Sequence, residues 1–277
     1  MGTEQMVAAH YTTGALYDRV IQALRASGVD PDHAAPEALA AGDEFHTGGR
    51  EATDALLEQL TIGAETRVLD IGSGIGGPAR HIAQRYGCHV TGVDLTEEFV
   101  ETARRLSDLV GMGDKVRFLQ GSGTELPLEA GSVDLALILH VGMNIADKDR
   151  LTAEAARVLS PGGTLAIFDV MRAGAAGDLI FPLPWSSVPE TSFVVPPAVY
   201  KDAATAAGLT LVGERDRSAF ALDFFAKSAA RIEEHGPAPL GIHLMMGETA
   251  GEKLGNYVKN LEAGRIAPTE LIFRRDG

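Results

Sequence analysis

The stretch Val68-Leu69-Asp70-Ile71-Gly72-Ser73-Gly74-Ile75-Gly76-Gly77 constrains this chain more than any other. A short apolar run carrying one acid gives way to a glycine loop, and Pro78-Ala79-Arg80-His81-Ile82-Ala83 then reads as the start of a helix. Strand, tight turn and helix in that order let backbone N–H groups approach a ligand with no side chain in the way. Gly72, Gly74 and Gly77 satisfy G-x-G-x-x-G, which suggests a dinucleotide site. They equally satisfy an acid-x-Gly-x-Gly loop headed by Asp70, or a plain glycine turn, so the glycines alone leave their ligand open.

The surrounding pattern is regular. Short runs rich in Val, Ile and Leu predict strands at 67–71, 88–93, 115–119, 133–139 and 164–170. Helical spacing predicts helices at 77–86, 96–110 and 147–159 between them. Strands alternating with helices give an α/β fold, a doubly wound parallel sheet with right-handed crossovers and its ligand at the carboxyl ends of the strands. Pro161-Gly162-Gly163 is the expected turn into the fifth strand. Upstream, Leu16, Val20, Ile21 and Leu24 fall on one face of a helix over 12–27, and a second helix is expected at about 50–60. Residues 171–195 carry no period and include Pro182, Pro184, Trp185 and Pro189, which reads as a long ordered loop of the kind that is usually functional. A helix at 196–207 and strands at 209–214 and 269–275 follow, with mostly helical pattern between those two strands. The expected divisions are an N-terminal helical cover at 1–60, a core at 61–215 with 171–195 as a substrate loop, a helical lid at 216–266, and a last strand within 267–277.

Composition narrows the partners. A formal charge of −14 over 277 residues argues against nucleic acid and anionic membranes, which would repel the chain. Cys88 is the only cysteine, so no internal disulfide can form and a reducing cytoplasm is the expected compartment. Met1 to His10 lacks the basic and apolar stretches of a signal peptide, and the apolar run Leu135 to Val141 is too short to span a bilayer. A small-molecule substrate is expected, and a homodimer is left open. No His-Glu-x-x-His or paired-cysteine pattern occurs, so no metal is expected.

Asp94 closes the second strand, one βα unit after the glycine loop, where a ribose diol would lie; the competing role is capping the next helix. Neither role separates one nucleoside cofactor from another. Gln120-Gly121-Ser122-Gly123-Thr124-Glu125-Leu126-Pro127 follows the third strand, and Asp134-Leu135-Ala136-Leu137-Ile138-Leu139-His140 forms the fourth. With these segments in place the chain resembles the class I S-adenosylmethionine-dependent methyltransferases. The 70–76 loop is similar to that family's first motif, Asp94 to its second, 120–127 to its adenine motif, and Pro161-Gly162-Gly163 to the turn before its fifth strand. No tyrosine is followed four positions later by Lys, so a short-chain dehydrogenase dyad is absent.

The resemblance implies a Rossmann-like, seven-stranded, mostly parallel sheet with its last strand antiparallel, and S-adenosylmethionine as cofactor. It implies cofactor contacts from Asp70, Gly72, Gly74, Gly76, Asp94, Leu95, Ser122, Gly123 and the backbone of His140. Many members have Gly-Asp-Ala where this chain has Gly121-Ser122-Gly123, so a hydroxyl stands where a carboxylate would accept from the adenine amino group. The flanks around Phe45-His46-Thr47-Gly48-Gly49, His140-Val141-Gly142-Met143-Asn144-Ile145, Pro184-Trp185 with Ser192-Phe193, and Gly241-Ile242-His243-Leu244 resemble the small-molecule branch that includes sarcosine/dimethylglycine N-methyltransferases. An amine acceptor is therefore expected, with carbon or oxygen methylation of an apolar terpenoid or polyketide as the alternative. A NAD-binding oxidoreductase and a non-catalytic S-adenosylmethionine-binding protein are the rivals from other classes. His140 is the expected base, with His46 as a second catalytic candidate. Tyr11, Tyr17, Met143, Trp185 and Phe193 are the expected substrate contacts, and the Trp185 ring could attract an ammonium or simply anchor its loop.

Overall fold

The computed structural model describes residues 2–12 and 14–277. Seven strands form one sheet: β1 (Arg67–Ile71), β2 (His89–Asp94), β3 (Val116–Gln120), β4 (Val133–Leu139), β5 (Leu159–Arg172), β6 (Leu209–Asp216) and β7 (Ile266–Arg275). Their order is β3-β2-β1-β4-β5-β7-β6, parallel except for β7, which runs antiparallel between β5 and β6. The order reverses between β1 and β4, so their carboxyl ends diverge there and open a crevice.

Alternation along the strands sorts the core into two faces. Val68, Leu135, Leu137 and Phe168 face α4 (Gly49–Leu57), α5 (Gly77–Tyr86) and α6 (Glu97–Leu109). Leu69, Ile71, Ala136, Ile138 and Ile167 face α7 (Lys148–Val158) and α8 (Pro197–Ala206). Two N-terminal helices, α1 (Thr3–Tyr11) and α2 (Leu16–Ala26), share a cluster with Phe99 and Leu106 of α6. After α2 comes the single turn α3 (Ala40–Asp43), and between β6 and β7 lie α9 (Ser218–His235), α10 (His243–Met246) and α11 (Ala250–Glu262). Leu240 and Met245 join the α1–α2 cluster, while Tyr257 and Leu261 of α11 pack with Leu183 and Trp185. No helix of the described residues is long and apolar enough to cross a membrane.

The main differences from the sequence expectation lie at the first helix and at β5. The helix over 12–27 begins at Leu16, and Tyr11 instead ends a separate α1; Ala15, in the left-handed region at φ 53°, divides the two. Thr13 in that expected span, and Met1, lie outside the described residues. β5 starts at Leu159 rather than 164, because Leu159 pairs with Val133 and Thr164 with Leu135, so Pro161-Gly162-Gly163 bulges within the strand instead of preceding it. The loop between β5 and α8 carries one short 3₁₀ turn at Pro189–Thr191 and buries Leu183 and Trp185.

On β7, Glu270 is buried and its carboxylate accepts from Arg217 at 2.6 Å, from Arg215 of β6 at 2.7 Å and from Gln59, just after α4, at 2.9 Å, tying these segments to β7. Glu270→Ala leaves the mostly buried Arg217 and the exposed Arg215 without their anion and is expected to lower unfolding free energy by about 1–3 kcal/mol. Urea unfolding measures this as a lower midpoint at unchanged slope, with Glu270→Gln intermediate.

Candidate active site

The crevice between β1 and β4 is built by backbone. After Ile71 the chain bends through Gly72 at φ +76°, a conformation open to glycine, and the Gly72 and Ser73 N–H groups donate to the Val93 carbonyl at 2.7 and 3.1 Å. A Cβ at Gly72 would fall within 2.6 Å of Val141 Cγ1, whereas one at Gly74 would stand in open space. Asp94 ties the bend down: its Oδ2 accepts from Gly74 N–H at 2.8 Å and its Oδ1 from Thr96 N–H at 2.9 Å. Burial pushes the Asp94 carboxyl up to about 6, against the pull of those N–H donors. Asp70 is pushed up to about 7, first by burial and then by the nearby Glu44 and Asp94 charges. Its Oδ2, like Ser73 Oγ, is buried with no partner among the described residues.

A cavity of about 270 Å³ opens over this bend. Asp70, Gly72, Gly74, Asp94, Leu95, Ser122, Gly123 and His140 all line it. Gly76 does not. A Cβ there would meet the Phe118 ring at 2.5 Å, so Gly76 serves the start of α5 behind the cavity, not its wall. The Ser122 hydroxyl, expected to be available as an acceptor, donates to Glu4 Oε1 at 2.6 Å and accepts from Thr124 N–H at 3.1 Å. Glu4 of α1 therefore brings a carboxylate to the loop after β3, and it too lines the cavity. No local sequence signal links Glu4 to a residue 118 positions away.

A second cavity, of about 620 Å³, meets the first at Tyr11, Phe45, His46 and His140. Met143 and Trp185 line it as expected of substrate contacts. Trp185 donates its indole N–H to Ser192 at 2.9 Å and packs edge-on against Tyr257 at 6.0 Å. Two expected contacts lie elsewhere. Tyr17 stacks under the Arg105 guanidinium at 3.5 Å on the outer side of α2, and Phe193 lines neither cavity. Phe193 acts through its backbone, which donates to the Met143 carbonyl at 2.8 Å and accepts from Lys148 Nζ at 2.9 Å.

The two histidines at the junction differ sharply. His140 sits at φ +54°, with its ring 4.7 Å from Phe168. Its Nδ1 contacts the Phe168 carbonyl at 3.1 Å, and a carbonyl only accepts, so Nδ1 carries the proton. Its Nε2 accepts from Thr47, whose hydroxyl is 3.0 Å away and is backed by Tyr257 at 2.8 Å. Both nitrogens are committed. Burial first, then the nearby His46, pushes His140 down to about 3, which makes it a fixed neutral wall rather than the free base expected of it. His46 turns Nε2–H toward the Gly49 carbonyl at 3.1 Å and the Thr53 hydroxyl at 2.9 Å, and Thr53 in turn donates to Glu44 at 2.8 Å. Burial holds His46 below its usual value, with Glu44 pulling the other way. Its Nδ1 bonds no group among the described residues.

Beneath the turn after β4, Lys148 donates to the carbonyls of Gly142 at 2.8 Å and Phe193 at 2.9 Å, and to that of Ile145. Burial pulls this ammonium down to about 8, with Asp169 opposing. Asp169 is held by the Tyr200 hydroxyl at 2.5 Å. Beside the glycine bend, Arg80 pairs with Asp43 at 2.8 Å, both buried. Neither pair announces itself in the sequence, since each joins residues from different elements.

Residues 69–167 match the family model described as a methyltransferase domain. The chain is 33% identical over 170 residues to the methyltransferase GfsG of Streptomyces halstedii, covering 60% of each protein. It is 30% identical over 134 residues to a glycine/sarcosine/dimethylglycine N-methyltransferase of Actinopolyspora halophila, covering 48% of this chain and 24% of that one. The chain thus spans less than two thirds of the length of these curated relatives. The fold is shared with geranyl diphosphate C-methyltransferase of Streptomyces coelicolor A3(2), solved with geranyl diphosphate and S-adenosyl-L-homocysteine: TM-score 0.73 at 18% identity, covering 99% of this chain and 98% of that one. Residues 69–167 thus match a methyltransferase domain, and the seven-stranded sheet that carries them has the fold of that solved methyltransferase.

Proposed function

We propose that this chain transfers a methyl group from S-adenosylmethionine to a small-molecule acceptor, with the donor in the smaller cavity and the acceptor in the larger. The carrying observation is that two cavities of different chemistry meet at one junction, Tyr11, Phe45, His46 and His140. The smaller one fits the donor by its unmet groups: the unpartnered Asp70 Oδ2, the open space over Gly74, and Asp94 at the end of β2. Asp94 would hold the ribose hydroxyls, Asp70 the loop or the amino group, and the His140 carbonyl that same amino group. Glu4, through its place beside Ser122, would supply the carboxylate for the adenine amino group that the 121–123 segment lacks. When bound, the donor supplies an electrophilic methyl carbon on a sulfonium. The protein's own share is alignment and exclusion of water, which the Tyr11–Asn144 contact (3.2 Å) aids by closing α1 against the turn after β4.

The amine acceptor expected from the resemblance finds little to neutralise it. Of the carboxylates lining the larger cavity, Glu44 is taken by Arg50 at 2.5 Å and by Thr53, and Glu51 stands exposed at the rim. The walls are largely apolar, which favours the other acceptor class, an apolar metabolite.

Calorimetry with S-adenosylhomocysteine and with NADH tests the donor: binding of the first and not the second is expected, and the reverse would overturn the reading. Because Asp70 and Asp94 hold their protons to about 7 and about 6 in the free protein, a ligand that needs them ionised displaces protons. Affinity for S-adenosylhomocysteine is therefore expected to rise from pH 5 to 8, with proton release visible as a buffer-dependent enthalpy. Gly72→Ala meets Val141 and a strained φ together, so about tenfold or greater loss of affinity is expected, partly restored by Val141→Ala, which relieves only the clash. Glu4→Gln is expected to weaken S-adenosylhomocysteine by a few-fold while leaving S-inosylhomocysteine, which lacks the amino group, unchanged.

A further inference from the structure

We propose that the acceptor is an extended, largely apolar molecule methylated at a hydroxyl oxygen, and that His46 takes that hydroxyl's proton at Nδ1. This rests on the donor reading above and names the acceptor for the same site. The cavity of about 620 Å³ is far larger than a methylated glycine needs. One wall is a row of rings, Trp185 on Tyr257 at 6.0 Å, Tyr257 on Phe225 at 5.3 Å and Phe225 on Phe224 at 5.5 Å. The rings pack on one another in sequence rather than around a shared point, which makes a surface for a long apolar body and not a cage for a cation.

The polar end of the cavity is the junction, and it offers one unused group. His140 has both nitrogens engaged, and Tyr11 bonds Asn144. His46 has Nε2–H committed to Gly49 and Thr53, which leaves the Nδ1 lone pair unbonded on a residue that lines both cavities. A lone pair there accepts one hydrogen. A carbon acceptor would leave it unpaired in an apolar pocket, which costs free energy. An ammonium would be buried beside a cationic sulfonium with no free carboxylate to offset it. A neutral hydroxyl satisfies the nitrogen without either penalty.

In the step itself, Nδ1 takes the hydroxyl proton and the O–H electron pair stays on oxygen. An oxygen lone pair forms the bond to the methyl carbon while the carbon–sulfur bond breaks, its pair passing to sulfur and cancelling the sulfonium charge. The imidazolium keeps Nε2–H on Thr53 and Gly49, with the Glu44 carboxylate 3.6 Å from Nε2, and then loses the Nδ1 proton to water. The charged and titratable groups around the ring are Glu44 and Asp43, which favour the proton, Arg50, which opposes it, and the neutral His140.

Trp185 is the only tryptophan and lies in the cavity wall, so its fluorescence reports filling directly. With S-adenosylhomocysteine bound, 4-phenylphenol, 4-methoxybiphenyl and 4-phenylbenzylamine are titrated against the wild type and His46→Gln. The phenol is expected to bind about tenfold more tightly than the other two, the worth of one buried hydrogen bond, and to lose that preference in the variant. His46 also lines the donor cavity, so calorimetry of S-adenosylhomocysteine is run on His46→Gln alongside; retained binding, within a few-fold of the wild type, separates loss of the acceptor contact from loss of fold or donor. With S-adenosylmethionine, the variant's turnover of the phenol at pH 7 is expected to fall about 10²–10⁴-fold and to recover as pH rises and the phenol ionises unaided. Equal binding of the three probes, preference for the benzylamine, or a phenol preference and turnover unchanged by His46→Gln would each overturn the proposal. Failure of S-adenosylhomocysteine to bind the wild type would instead overturn the donor reading on which it stands.

Discussion

Everything at the crevice depends on one carboxylate holding two backbone amides. Asp94 ends β2 and spans from Gly74 N–H in the bend after β1 to Thr96 N–H at the start of α6. Those donors would otherwise face the cavity unpaired, at the cost of buried, unsatisfied amides. One side chain thus fixes the shape of the glycine bend and the entry of a helix, while lining the cavity itself. The arrangement carries an electrostatic cost. Asp70 and Asp94 have carboxyls raised by burial, so their contribution to stability is fullest below the ordinary carboxylate range near pH 4 and is lost as pH rises through about 6 and about 7. The two-faced apolar core of the sheet offsets that loss.

The sheet was legible because burial writes itself as local period. β1 at 67–71, α5 at 77–86 and β4 at 133–139 match their expected bounds, since each is an apolar run or stripe ended by a glycine, an acid or a turn. α1 was not legible, because Thr3–Tyr11 buries only its last residue and carries no apolar stripe to read. The start of β5 was misread for a related reason: Pro161-Gly162-Gly163 has turn composition, yet pairing on both sides of it keeps the strand continuous.

For the site, the residues on the strand ends were readable and their partners were not. Asp70, Gly72, Gly74 and Asp94 follow from one strand–loop–helix pattern. The state of His140 follows from Thr47 and Phe168, and that of His46 from Thr53 and Glu44, contacts between elements that no spacing rule connects. Two histidines that look equivalent as letters are thus divided by tertiary hydrogen bonding, one locked neutral with both nitrogens used and the other with a lone pair to spare. Tyr17 and Phe193 show the same limit: aromatic character was visible, and the side each ring faces was not.

The division of labour in the fold explains why the donor's side is readable and the acceptor's is not. The smaller cavity is built mostly on the ends of β1, β2 and β4 and the loop after β3, within the 69–167 span that matches a methyltransferase domain. The larger cavity draws on that span only for His140 and Met143. Its remaining walls come from residues 11 and 40–51, from 184–185 in the loop after β5, and from 224–257 between β6 and β7. These segments pack mainly through two further clusters, which touch the core at Ile75, Phe99 and Leu106 in one and at Val170 and Ile266 in the other. A sheet that fixes one ligand and appended segments that shape the other can share a fold with proteins acting on very different acceptors. Acceptor identity therefore has to be argued from the walls of the larger cavity, where the ring row and the His46 lone pair are the informative groups, and not from the sheet.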